Sequence, residues 1–177
     1  GWDYAPDDAS KPDLALTGYH KGVPMGADLT NAPAGRMPRF LIRAVKDPDG
    51  ANLDRVQVIK GWLDSKGETH EKIYNVALAD GRKEDKSGKA PTVGSTVDVK
   101  NASYTNTIGD PELAVVWTDP GFDPMQPAFY YVRVLEIHNE LRIHAWGDRL
   151  CCLSKDTRGL FLYRDNTGVA VRPDLRA

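Results

Sequence analysis

Four oxygen-bearing side chains fall within the eight residues Asp47-Pro48-Asp49-Gly50-Ala51-Asn52-Leu53-Asp54, a density that suits a Ca²⁺ loop. A metal reading of this run assigns the ion to Asp47, Asp49, Asn52 and Asp54, although the bidentate Glu and the loop length of an EF-hand are missing. A tight turn between two strands accounts for the same residues, since Asp-Pro-Asp-Gly places Pro in its favoured slot of a type I turn. Asp119 and Asp123 flank Phe122 in a proline-rich turn. They offer either a carboxylate pair for acid–base chemistry or two local Asx turns, the commoner use. The four histidines, His20, His70, His138 and His144, show neither i,i+4 nor i,i+2 spacing, so any metal cluster must be assembled by folding. There is no G-x-S-x-G elbow, no G-x-G-x-x-G and no P-loop. Cys151 and Cys152 are adjacent, and bridging them strains the intervening peptide, so no disulfide framework is expected.

The chain that must position these groups has 177 residues, 41% hydrophobic and 27% charged, with a formal net charge of −2. That length suits one domain, or one domain with a tail. A pI near 6.1 gives no electrostatic footprint for nucleic acid or an anionic membrane, and the apolar runs fall far short of the roughly 18 residues that span a bilayer. No signal-peptide pattern opens the sequence, and a start at Gly1 without Met suggests a piece of a longer chain.

Three regions are expected. Residues 1–38 hold Pro at 6, 12, 24, 33 and 38 and Gly at 1, 18, 22, 26 and 35, which predicts a loop-rich lead-in with one or two short strands and no long helix. Residues 39–137 carry the period-2 signal of strands: Phe40–Lys46, then Asp54–Leu63 with Val56, Val58 and Lys60 on one face. Asp64-Ser65-Lys66-Gly67 closes a hairpin onto Thr69–Leu78, and further strands follow at Ser95–Val99, Leu113–Thr118 and Ala128–Ile137. Residues 80–94 read as a polar surface excursion, and Trp62 and Trp117, lying in strand patterns, as core. Residues 138–177 form a tail of different texture, with short strands expected at Leu160–Tyr163 and Val169–Val171. The fold class is mainly β, an immunoglobulin-like β-sandwich with long loops and an irregular C-terminal tail.

Several segments carry a family resemblance together. They are Gly1-Trp2-Asp3-Tyr4, Gly18–Leu29, Lys46–Arg55, Ile59-Lys60-Gly61-Trp62-Leu63, Gly67–Lys72, Val116–Pro120 and Ala128–Ile137. In this order they resemble the C-terminal portion of a bacterial family known as domain of unknown function 3604, over roughly residues 1–137. Full-length members resemble PHP (polymerase and histidinol phosphatase) metal-dependent hydrolases in their N-terminal part. The resemblance implies a noncatalytic β-domain packed on its own N-terminal catalytic domain, with the divalent metal held there and no cofactor in this chain. Within that frame, Lys21, Met25 and Asp28 are the residues expected to face substrate or the neighbouring domain, with Lys21 meeting an anionic group. A turn entering the sandwich explains the same segment. After Ile137 the chain departs from the family's usual continuation, and a frame-shifted or recombined end is expected there. Two alternatives stand beside this reading: a binding module presenting Trp62, Trp117 and Tyr131 to carbohydrate or protein, and a calcium-stabilised β-domain. No nucleic-acid partner and no membrane span are expected.

Overall fold

The computed structural model describes residues 1–98 and 103–137 in full and, beyond them, the backbone of four strands between 141 and 172. Two compact units result, one formed by 1–93 with 109–136 and the other by 94–108 with 137–177. The fold is mainly β and antiparallel.

The first unit contains two sheets. Strand β1 (Arg39–Val45) pairs with β4 (Glu112–Thr118), while β2 (Leu53–Leu63) lies between β3 (Thr69–Leu78) and β5 (Ala128–Glu136). Alternation decides which side chains face inward. In the first sheet the register sets Phe40 against Trp117, Ile42 against Val115 and Ala44 against Leu113, and all six join the shared core. The second sheet contributes Val56 and Val58, both at 0% exposure, with Tyr130 and Val132 beside them. Rings tighten this core: Phe40 lies 4.6 Å from Tyr130 and Trp117 lies 4.8 Å from Tyr74, centroid to centroid. The β2–β3 hairpin and the inward face of β2 match the sequence expectation.

On the opposite face of β2, Ile59 is also buried, flanked across the sheet by Ile73 and Tyr131. Its two cross-strand neighbours shield Ile59 on the outer face of this central strand, so the apolar pattern runs through Val56, Val58 and Ile59 without clean alternation.

The lead-in differs from expectation. In place of one or two short strands it forms a 3₁₀ turn at Asp8–Ser10 and an α-helix, α1, at Leu14–Lys21. The helix has no side-chain cap at Asp13 and no buried residue of its own, so neither of the usual sequence signals announces it. Tertiary bonds hold it. The Tyr4 hydroxyl donates to the Gly18 carbonyl at 2.9 Å, and the Lys21 ammonium reaches the buried Asp8 carboxylate at 2.8 Å. The expected strand at Ser95–Val99 is also corrected: its described part forms an isolated bridge between Asp98 and Ser103.

The second unit carries a meander of β6 (Leu141–Trp146), β7 (Arg149–Lys155), β8 (Phe161–Asp165) and β9 (Gly168–Arg172), each antiparallel to the next. The last two agree with the short strands read from the tail.

Candidate functional site

Ionisable groups gather at two places near the end of the β2–β3 hairpin, one buried and one exposed. The buried group begins with Lys60, whose inward position in β2 sends its ammonium to Asp119 at 2.6 Å and to the Gly121 carbonyl at 2.6 Å. Asp119 is fully buried at the end of β4, and its other oxygen accepts the Gly121 amide at 2.9 Å, closing an Asx turn. The Tyr130 hydroxyl of β5 donates to the same carboxylate at 2.7 Å. Burial alone pushes Asp119 up, but Lys60, Tyr130 and the Gly121 amide outweigh it and hold the carboxyl below its ordinary value. Burial and the facing Asp119 charge push the Tyr130 phenol well above its usual range. Both Asp119 oxygens are therefore saturated by donors from three elements, which is the condition under which a buried charge is tolerated. The group spends its charges inside the fold and joins the two sheets. Asp123 also closes an Asx turn, accepting the Met125 amide at 2.9 Å, so both Asp119 and Asp123 serve as turn acceptors.

The exposed group lies at the hairpin tip. Asp64 Oδ1 accepts the amides of Lys66 and Glu68 at 2.8 and 2.9 Å, while Oδ2 faces His70 Nε2 at 3.0 Å. That imidazole, with the two amides, holds Asp64 below the ordinary carboxylate range. Gly67 sits at φ +80°, a left-handed position that lets the chain turn back. The His70 ring stacks on Trp62 at 5.3 Å and 20°, as their cross-strand register requires. The ligand atoms of Asp64, Glu68 and His70 all lie within 4.8 Å of one another. Sequence spacing alone had not joined them, but hairpin register was the available signal, because the turn that places 69 opposite 63 also brings 68 and 70 back to 64.

Beside the tip, the outer face of the β3–β2–β5 sheet is open. A depression of about 700 Å³ is lined by Gly61, Leu63, Thr69, Glu71, Pro127 and Phe129. The Phe129 ring lies on Gly61, where any Cβ would collide with it, so glycine is required for this cross-strand stack. Phe129 and Tyr131 are 63% and 45% exposed with their rings nearly parallel at 10°, and Ile73 continues the apolar strip at 46% exposure. Further along the same face a polar row crosses the sheet: Arg133 to Gln57 at 2.6 Å, Gln57 to Asn75 at 2.7 Å and Asn75 to Glu84 at 2.6 Å.

The residues singled out by sequence are placed elsewhere. Lys21 is committed to Asp8, which also binds Lys11 at 2.8 Å; these two ammonium groups and the Ala5 amide hold the Asp8 carboxyl far below its usual range. Met25 is 88% exposed and Asp28 is exposed. Among Asp47, Asp49, Asn52 and Asp54, the carboxylates do not converge. Asp47 caps the Asp49 amide at 2.9 Å, while Asp54 is held by Arg55 at 2.7 Å and Arg82 at 2.5 Å. The Lys46 ammonium takes the carbonyls of Asp47, Pro48 and Gly50 at 2.8, 2.9 and 3.0 Å, the oxygens a cation in this turn would use. Of the three aromatics proposed for a binding surface, Tyr131 is exposed, Trp62 is half-buried against His70, and Trp117 packs in the core. No helix among the described residues is long and apolar enough to cross a membrane.

A family model described as "Protein of unknown function (DUF3604)" covers residues 1–147, the whole first unit and ten residues past Ile137. No curated protein and no solved structure matches the chain. With most of its length under that model, this chain belongs to the DUF3604 family.

Proposed function

We propose that this chain is a noncatalytic, β-rich C-terminal part of a PHP-like metal-dependent hydrolase and that it docks on the catalytic domain preceding it. In this reading the two sheets of the first unit form an immunoglobulin-like sandwich, and the divalent metal of the reaction belongs to the catalytic domain. The observation that carries the proposal is the apolar strip of Ile73, Tyr131 and Phe129 on the outer sheet face, backed by buried Ile59 and standing beside saturated polar groups. Large exposed aromatics packed on a rigid sheet suit an interface, where rigid rings lose little conformational entropy on contact. The buried Lys60–Asp119–Tyr130 group supports a structural role for the interior, because its charges are spent on one another.

The test is a calorimetric titration of this chain into the polypeptide segment encoded ahead of it. Saturable binding that Phe129→Ser with Tyr131→Ser weakens at least about tenfold, by removing two central aromatic anchors, is the expected result. Absence of binding, or binding indifferent to both substitutions, overturns the docking role. A second reading draws on the near-parallel Phe129 and Tyr131 rings, a platform suited to the apolar face of a sugar. Saturable oligosaccharide binding lost in the same double variant, without binding to the preceding segment, favours that alternative.

A further inference from the structure

The hairpin tip carries a second kind of chemistry, independent of whether the sheet face docks. We propose that Asp64, Glu68 and His70 form a surface binding site for a single divalent transition-metal ion of the zinc type.

Two carboxylates and one imidazole present their ligand atoms within 4.8 Å of one another. His70 Nε2 and Asp64 Oδ2 already stand 3.0 Å apart. Ligands held about 2.0–2.2 Å from a tetrahedral zinc ion are separated by about 3.4 Å, so this edge needs little adjustment. The two groups are also held in place. Asp64 keeps Oδ2 toward the site because Oδ1 is fixed by two turn amides, and His70 is oriented by its stack on Trp62. Glu68 is the least constrained member: it is exposed, and among the described residues its carboxylate makes no hydrogen bond or ion pair with another side chain. Two carboxylates converge here beside the imidazole, and a divalent cation offsets the repulsion between two such anionic groups. The donor set selects the ion. An imidazole with two carboxylate oxygens suits zinc and its neighbours, whereas calcium takes six to eight oxygens and magnesium retains most of its waters. The three-ligand set also leaves a coordination position facing solvent.

This site differs from the Asp47–Asp54 run, where Lys46 takes three backbone carbonyls of the turn and Arg55 and Arg82 take the Asp54 carboxylate. At the tip, Lys66 lies in the same turn, yet among the described residues neither Asp64 nor Glu68 forms an ion pair with a lysine or arginine; Lys60 is committed to Asp119, and Lys72 lies over the Tyr74 ring at 4.8 Å.

The experiment is a titration of Zn²⁺ into the full chain carrying Cys151→Ser and Cys152→Ser, since thiolates bind zinc on their own account. Calorimetry and the histidine ring resonances are followed together. One-to-one uptake with the His70 resonances displaced is expected, and affinity at least about tenfold weaker in both His70→Ala and Glu68→Gln. Glu68→Gln touches no packing, so its unchanged melting temperature separates loss of a ligand from loss of fold. No uptake, uptake indifferent to either substitution, or His70 resonances that stay in place overturns the proposal.

Discussion

Lys60 and Asp64 lie on the same hairpin, yet the charged groups around them behave in opposite ways. At Lys60 the partners come from β4 and β5, water is excluded, and each oxygen of Asp119 is matched by a donor. At Asp64 the partners come from the hairpin itself, the cluster lies at the surface, and among the described residues one of its carboxylates, Glu68, has no ion-pair partner. Desolvation makes the difference. Inside, an unmatched charge costs several kcal/mol, so the group is complete and chemically silent. At the surface an unmatched carboxylate costs little, so the same residue types stay available to a ligand.

The largest expected effect breaks the buried side of this contrast. Asp119→Ala leaves the Lys60 ammonium buried and unpaired and is predicted to cost about 3–5 kcal/mol, read by urea denaturation. Replacing both partners, Lys60→Met with Asp119→Leu, sharpens the point: the double variant is predicted to recover most of that loss, because no isolated charge remains.

Acid follows. Asp119 and Asp8 both have folded values lowered from the ordinary one, so each favours the folded state at neutral pH. That contribution is full above the unfolded value near 3.9 and is lost as pH falls through it toward the folded values. Melting temperature is therefore predicted to drop steeply below about pH 4, and the drop is shallower in Asp119→Asn. A more modest effect is expected on the outer face, where Phe129→Ala removes the ring from Gly61 and costs about 1 kcal/mol in the same denaturation experiment. The smallest is Glu68→Gln, predicted to change stability by no more than about 0.5 kcal/mol while lowering zinc affinity.

How much of this was legible depended on the distance along the chain between partners. Strands β1 to β5 were readable because alternation is a local signal, and Phe40, Ile42, Val56, Val58 and Val132 obey it. Helix α1 was not, since its support comes from Tyr4 and Asp8 and its sequence carries no cap and a short, weakly patterned face. Lys60 and Asp119 are 59 residues apart, and no local pattern links them. Asp47, Asp49, Asn52 and Asp54 looked like a cation loop because residue type says nothing of Lys46, Arg55 and Arg82 arriving first. The expected change of texture after Ile137 is real in composition, yet the family match continues to residue 147.

The proposed supporting role, with the chemistry carried out in another domain, is tested by a phosphoester hydrolysis assay on the purified chain with Mn²⁺ or Zn²⁺. No turnover above the metal-only blank is expected, even where Zn²⁺ raises the melting temperature through the hairpin tip. Turnover that saturates with substrate and disappears in His70→Ala would place a working hydrolytic site in this chain and contradict it.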